Sequence, residues 1–313
     1  LKKLKINHMK YSLFACLLFV FACQPAEKSN KPKKLSEKVA TSITGVINNP
    51  NAPNIILESM GEQHSGKIQN GQFTINLMLD EPKVYTMRYG RTSSPLFINP
   101  GDKIAFSTSA NQFSQVMNFT GDRALENTFL TEKYNSDRKE RSMKVNVYKL
   151  EEQEFIEAVE KTKMDKVAAF NTYKAANQLD PYFVFMIENE NQYEWANDRL
   201  IYPRYHAFYT KKEAFEVSPV YYDFMRDLDR NDPEKMISFN FSSFVTYYTD
   251  LEAGKIIEAD DNLKLSDNGA VLTKFDFINE KFTDPEIKDF LMYNSIKSHI
   301  KYEGANGTPA LIE

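Results

Sequence analysis

Cysteine is nearly absent from this chain of 313 residues: Cys16 and Cys23 are the two it has, and both fall among the first 23 positions. The residues after Cys23 therefore hold no thiol, no internal disulfide and no Cys-x-x-Cys pair, which excludes dithiol chemistry from them. Histidine is almost as sparse. His8, His64, His206 and His299 are scattered, and none has a partner at metal-ligand spacing. The Gly-x-Ser-x-Gly elbow, the P-loop and the dinucleotide fingerprint are all missing. Positive charge is not in excess either. With 39 basic and 43 acidic residues, the chain has no electrostatic footprint for nucleic acid or for an anionic membrane surface. Beyond the first two dozen positions no apolar run approaches the roughly 20 residues of a membrane-spanning helix.

One shorter apolar run is present, at Met9 to Cys23 (MKYSLFACLLFVFAC). Lys10 gives a basic start, and Ser12 to Ala22 has the length of the apolar region of a secretory signal rather than of a membrane span. The run ends at Val20-Phe21-Ala22-Cys23, which resembles the lipobox of bacterial lipoproteins. That resemblance implies cleavage before Cys23 and lipid attachment to its sulfur. An ordinary signal with an incidental cysteine is the alternative. Residues 1–22 are accordingly set apart as a signal peptide, with Met9 as the expected true start. Lys2, Lys3, Lys5 and Lys10 leave with it, so 35 basic residues face 43 acidic ones, a net charge of −8. Residues 23–38 are polar, with Pro25 and Pro32, and read as a lipidated tether.

From Val39 the pattern is short strands and tight turns. Ser42–Ile47, Ile55–Leu57, Gln72–Met78, Val84–Tyr89, Leu96–Ile98, Ile104–Ser107 and Val116–Phe119 read as strands. Asn70-Gly71 is a hairpin signal, and Asn99-Pro100-Gly101-Asp102 suits a type II turn. This spacing predicts an antiparallel β-sandwich over residues 39–121. From Asp122 the period becomes helical, which predicts an all-α domain over 122–306 and an α+β, two-domain protein. Asp180-Pro181, Ser218-Pro219, Asp232-Pro233, Asp284-Pro285 and Thr308-Pro309 each pair a capping residue with proline, the signature of a helix start. Helices are expected near 180–208, 219–229, 241–254, 270–282 and 285–302. The last signal opens a helix at 307–313 too short to hold alone, from which a truncated C-terminus is expected.

Two constellations bear on chemistry. Glu190, Glu194 and Asp198 lie four apart on one helix face, with His206 eight further on. Such carboxylates suit acid–base work or a metal, although a solvated helix face is the reading that spacing favours. The aromatic run from Tyr182 to Tyr248, including Trp195, Tyr202, Tyr205, Phe208, Tyr221, Tyr222, Phe239, Phe241, Phe244 and Tyr247, has the choice between a sugar-stacking platform and plain core, with core favoured. No catalytic, cofactor-binding or metal-ligating residue is assigned, and Cys23 stands as the lipid-attachment site.

The order of parts carries a resemblance. A lipobox is followed by Gly45-Val46-Ile47, Gly71-Gln72-Phe73, Ile98-Asn99-Pro100-Gly101-Asp102, then Phe119-Thr120-Gly121-Asp122 and Asn127 leading into helices. It resembles the front half of lipid-anchored TlpA/ResA-like thioredoxin-fold proteins of Gram-negative bacteria. The resemblance covers about residues 9–130 and implies an accessory region ahead of a thioredoxin fold bearing Cys-x-x-Cys. That fold has no counterpart here, so no catalytic residue is carried over. Two functions are expected from this: the non-catalytic region of an envelope thiol–disulfide oxidoreductase, or a stand-alone lipoprotein binding a glycan, peptide or partner protein. Hydrolysis through the Glu190 face is a remote third. Either main reading puts the chain on a bacterial membrane, at its periplasmic side or on the outer membrane, held by lipid rather than by charge.

A labelled fatty acid fed to expressing cells should tag the wild-type chain and leave Cys23→Ser unlabelled. Equal labelling of both would remove the lipobox reading.

Overall fold

The computed structural model describes residues 34–304, apart from Met60 and residues 266–267. The signal peptide, Cys23, most of the tether and the Thr308-Pro309 helix start lie outside the described residues. The tether's last stretch is tied down, since Leu35 N donates to Asp80 O at 2.7 Å.

The chain is α+β. Eight strands come first: β1 (Val39–Asn48), β2 (Asn54–Ser59), β3 (Glu62–Lys67), β4 (Gln72–Leu79), β5 (Lys83–Tyr89), β6 (Thr92–Ile98), β7 (Lys103–Ser109) and β8 (Asn118–Gly121). They form two four-stranded sheets, ordered β4-β1-β7-β8 and β3-β2-β5-β6. Every pairing is antiparallel except β1 with β7. Alternation sets the faces, because successive side chains leave a strand on opposite sides. On β4, Phe73, Ile75, Leu77 and Leu79 are buried while Gln72, Thr74, Asn76 and Met78 are exposed. Ile43 and Ile47 of β1 join them, and Ile55, Leu57, Tyr85 and Met87 of the other sheet belong to the same core. Gly45 lies opposite Phe73. A Cβ there would stand 2.3 Å from the Phe73 ring, so the missing side chain is what lets that ring approach β1 so closely.

Two turns form as expected and do something different. Asn70 and Gly71 have φ of 50° and 79°, and Gln69 and Gln72 exchange backbone bonds across them. They do not join a hairpin: β3 and β4 belong to different sheets, and the turn carries the chain across. Asn99 to Asp102 likewise leads from β6 of one sheet to β7 of the other. β3 was not expected, because EQHSGK buries only Gly66 and offers no apolar alternation to read. The strand expected at Val116–Phe119 begins later, at Asn118, and Val116 is exposed.

Seven helices follow among the described residues: α1 (Ala124–Val147), α2 (Glu152–Ala176), α3 (Pro181–Thr210), α4 (Phe239–Ala259), α5 (Asp261–Leu265), α6 (Gly269–Lys281) and α7 (Pro285–Glu303). None is long and apolar enough to cross a membrane. Asp180 caps α3, accepting from Tyr182 N and Phe183 N, and Asp284 caps α7 in the same way. The other two proline signals open only single 3-10 turns, at Tyr221–Met225 and Pro233–Ile237. The helix expected at 219–229 is therefore absent. Ser218 is engaged by Glu152 of α2 instead, its hydroxyl and its N–H donating to that carboxylate at 2.5 and 2.7 Å.

The change from strand to helix falls between Gly121 and Ala124, yet packing continues across it. A third core cluster joins Phe97 of β6 to Leu130, Phe170, Phe183, Met186 and Ile187 of α1, α2 and α3. β6 is an outermost strand, and Asn127 of α1 closes it. The fully buried Asn127 accepts from Phe97 N at 2.7 Å and donates to Phe97 O at 3.0 Å. Beside it Arg123 enters α1 in the left-handed region, φ 58°, a conformation costly for a side chain with a Cβ. Its guanidinium reaches Asp102 at 3.2 Å and Asp180 at 3.2 Å. Asp180 also accepts from Asn99 Nδ2 at 2.8 Å, and its own N–H donates to Glu126 at 2.8 Å.

Asn127→Ala should lower the urea midpoint at unchanged m-value, a loss of about 2–4 kcal/mol in unfolding free energy for two buried backbone groups left unpaired. A change within about 0.5 kcal/mol would mean the edge of β6 is held by something else.

Candidate functional site

Helix α3 begins at a capped proline and runs for 30 residues, so positions four apart stack along one face. Glu190, Glu194 and Asp198 do share that face, and the solvated reading fails for it. Glu194 and Asp198 are turned inward against α1 and α2, with side chains 16% and 13% exposed. Three lysines meet them. Lys166 Nζ of α2 stands 2.8 Å from Glu194, 2.8 Å from Asp137 and 3.0 Å from Glu140. Lys144 of α1 reaches Asp198 at 2.8 Å and Glu194 at 3.2 Å. Lys133 bonds Asp137 at 2.7 Å and lies 3.7 Å from Glu194. Tyr148 completes the ring, donating its hydroxyl to Asp198 at 2.7 Å.

Burial alone would raise the Glu194 carboxyl, and Lys133, Lys144 and Lys166 outweigh it, bringing the value down to about 2. Burial likewise pulls Lys144 down, and the carboxylates of Asp198 and Glu194 more than reverse this. Glu194, Lys144 and Lys166 are thus charged at neutral pH, whereas at Asp198 burial outweighs Lys144 and Tyr148 and raises the carboxyl. Glu190 is separate. Its carboxylate accepts from Phe239 N at 2.7 Å and Asn240 N at 3.3 Å, capping α4, and burial raises its pKa against those bonds.

His206 does not meet the carboxylates. It is fully buried, with Nδ1 3.1 Å from Tyr148 O and Nε2 3.1 Å from Lys212 Nζ. A lysine ammonium only donates, so Nε2 accepts and the ring proton sits on Nδ1. As for a metal, Asp137, Glu140 and Glu194 each offer an oxygen within 4.8 Å of the others. The Lys166 ammonium already bonds all three, so the cation of that trio is a side chain.

The aromatic run divides. Tyr202, Tyr221, Phe241 and Phe244 are core, Trp195 is 8% exposed, and Phe208 and Phe239 are exposed. Tyr205 and Tyr209 stack on each other, centroids 5.8 Å apart, and Tyr205 lies 5.2 Å from Tyr148. The lysines were missed by sequence reasoning, although a signal exists. Lys133, Asp137, Glu140 and Lys144 fall at spacings that keep them on one face of α1.

Comparison with protein-family models, with curated proteins and with solved structures finds no match to the chain. The likeness to TlpA/ResA-like proteins rests on the motifs that suggested it.

A group with a depressed folded pKa stabilises fully above its unfolded value and loses that contribution as pH falls through the folded one. For Glu194 the window runs from its ordinary 4.5 down to about 2. Glu194→Gln should therefore cost on the order of 3 kcal/mol at pH 7 and flatten the acid limb in that window. Parallel stability–pH curves for wild type and variant would contradict the network.

Proposed function

We propose that this chain is an envelope lipoprotein, the non-catalytic N-terminal region of a TlpA-like thiol–disulfide oxidoreductase. In this reading its two sheets stack as a β-sandwich over residues 39–121, its helices form the domain 122–306, and lipid on Cys23 attaches both to a bacterial membrane. The observation that carries the proposal is the fate of the motif residues. Asn99, Asp102 and Asn127, quoted for the resemblance, converge with Arg123 on the join between sheet and helix. Gly121 and Asp122 lie beside it, with Asp122 accepting from Lys103 N at 2.8 Å. These residues fix geometry, which is what an accessory region needs.

The acids agree with this. Glu190 caps a helix and Glu194 and Asp198 are held by lysines, so each carboxylate is already engaged in holding helices together. Hydrolysis through this face loses its support. A stand-alone lipoprotein binding a glycan, peptide or partner is the second reading. It is favoured by the exposed Phe208 beside the stacked Tyr205 and Tyr209.

The chain alone should give no insulin reduction above the background of dithiothreitol, because exchange needs an attacking thiolate and no cysteine follows Cys23. Activity in the chain as it stands would refute the assignment. Reading the frame past Glu313 separates the two proposals: Cys-x-x-Cys on a thioredoxin fold supports the first, an immediate stop codon the second.

A further inference from the structure

Next to that face of α3, at the positions that follow Glu194 and Asp198, positive charge collects and two buried N–H donors stand without acceptors. Arg199 is 8% exposed, and among the described residues no carboxylate pairs with it. Its Nη2 donates to Tyr221 O at 3.0 Å, while its Nε has no partner. The guanidinium carbon lies 4.2 Å from the ring centre of Phe224, 5.0 Å from Tyr221 and 5.5 Å from Trp195. Trp195, one turn earlier on α3, has a buried Nε1 that is likewise unpartnered. Lys163 of α2 sets its ammonium 3.9 Å from the Trp195 ring centre.

Two cations thus share one indole. Buried N–H groups in native proteins are almost always paired, and a buried charge without a counter-charge is disfavoured. Contacts with aromatic faces recover part of that cost but satisfy neither Nε nor Nε1. Burial, and to a lesser degree the charge of Arg199, lowers the Lys163 pKa, with Glu160 acting the other way. What the corner lacks is an oxyanion.

We propose that Lys163, Trp195 and Arg199 form a binding site for a small carboxylate. The unused Nε–H lies on the guanidinium edge that pairs with a planar carboxylate through parallel bonds. The indole N–H supplies a further donor and the ammonium a mobile charge. The surrounding rings of Tyr221 and Phe224 favour a flat ligand group over a tetrahedral one. Lys163 is the half-buried member of the three, and its long flexible stem makes it the most adaptable wall of the site. The proposal is independent of the envelope reading above.

Trp195 is the only tryptophan in the chain, so intrinsic fluorescence reports the site directly. The full chain should give a saturable change with acetate, the small free acid, and with N-acetylglycine, a mimic of a peptide C-terminus. The tighter of the two identifies the source of the carboxylate. N-acetylglycinamide, which lacks the charge, should give none. Lys163→Gln should weaken binding by about tenfold, as for one charge-assisted hydrogen bond, with an unchanged circular dichroism spectrum. Arg199→Lys keeps the charge and loses the fork, and should weaken it similarly; if it fails to fold, Lys163→Gln carries the test. A purely structural corner would show no saturation with either anion, or the same affinity in Lys163→Gln, and both results overturn the proposal. Tighter binding of inorganic phosphate than of acetate would overturn the carboxylate assignment.

Discussion

The carboxamide of Asn127 supplies an outermost strand with the donor and acceptor it would otherwise have to find in water or in another chain. An open sheet edge invites pairing with whatever strand comes near, and β6 would be such an edge along Phe97. By pairing with both backbone groups of Phe97, one side chain closes the edge and sets the height of α1 on it. Everything downstream inherits that registration. Arg123 has to turn through the left-handed region to start the helix there, and the carboxylates of Asp102 and Asp180 reward that turn. Asp180 in turn caps α3, so the first turn of the longest helix is fixed by the same group of residues that fixes α1.

Along α3 two neighbouring stripes are treated oppositely. One meets three lysines and is neutralised from α1 and α2. The other sets Arg199 among rings with no acid paired to it. Buried ion pairs contribute little net stability compared with apolar packing, because desolvation nearly cancels attraction. They do punish misalignment, since an α2 displaced by one turn would leave Glu194 without Lys166. The lysine ring is best understood as setting the relative registers of α1, α2 and α3, while the apolar core, with Phe155, Tyr202 and Phe244 fully buried in it, supplies the burial.

How far the sequence foretold this depends on the kind of signal. Alternation on β4 and capping at Asp180 and Asp284 are local, and each was legible. β3 was invisible because an exposed edge strand needs no apolar alternation. The Asn-Gly pair encodes a turn and not what the turn connects, so the passage between sheets could not be read from it. Ser218 carried a capping signal that Glu152, 66 residues away, diverts. The Glu194 face failed for a related reason. Spacing tells which residues share a face, and only the partner helices decide whether that face is wet. The corner at Arg199 left no mark at all, since nothing in a sequence distinguishes an arginine paired with acid from one set among rings.

The single parallel pairing has a bearing on how the chain assembles. Thr44 of β1 donates to Ile104 O of β7, 60 residues along, and the segment between them contains every strand of the second sheet. β1 therefore cannot complete its own sheet until that whole meander has emerged and closed upon itself. Closing long loops before any contact rewards them is slow, whereas helices gather contacts from near neighbours. As the ribosome or translocation channel releases the chain, its first strand waits with one edge unsatisfied. The late joining of β1 to β7 is the step at which a helper that holds extended chain would have the most to do.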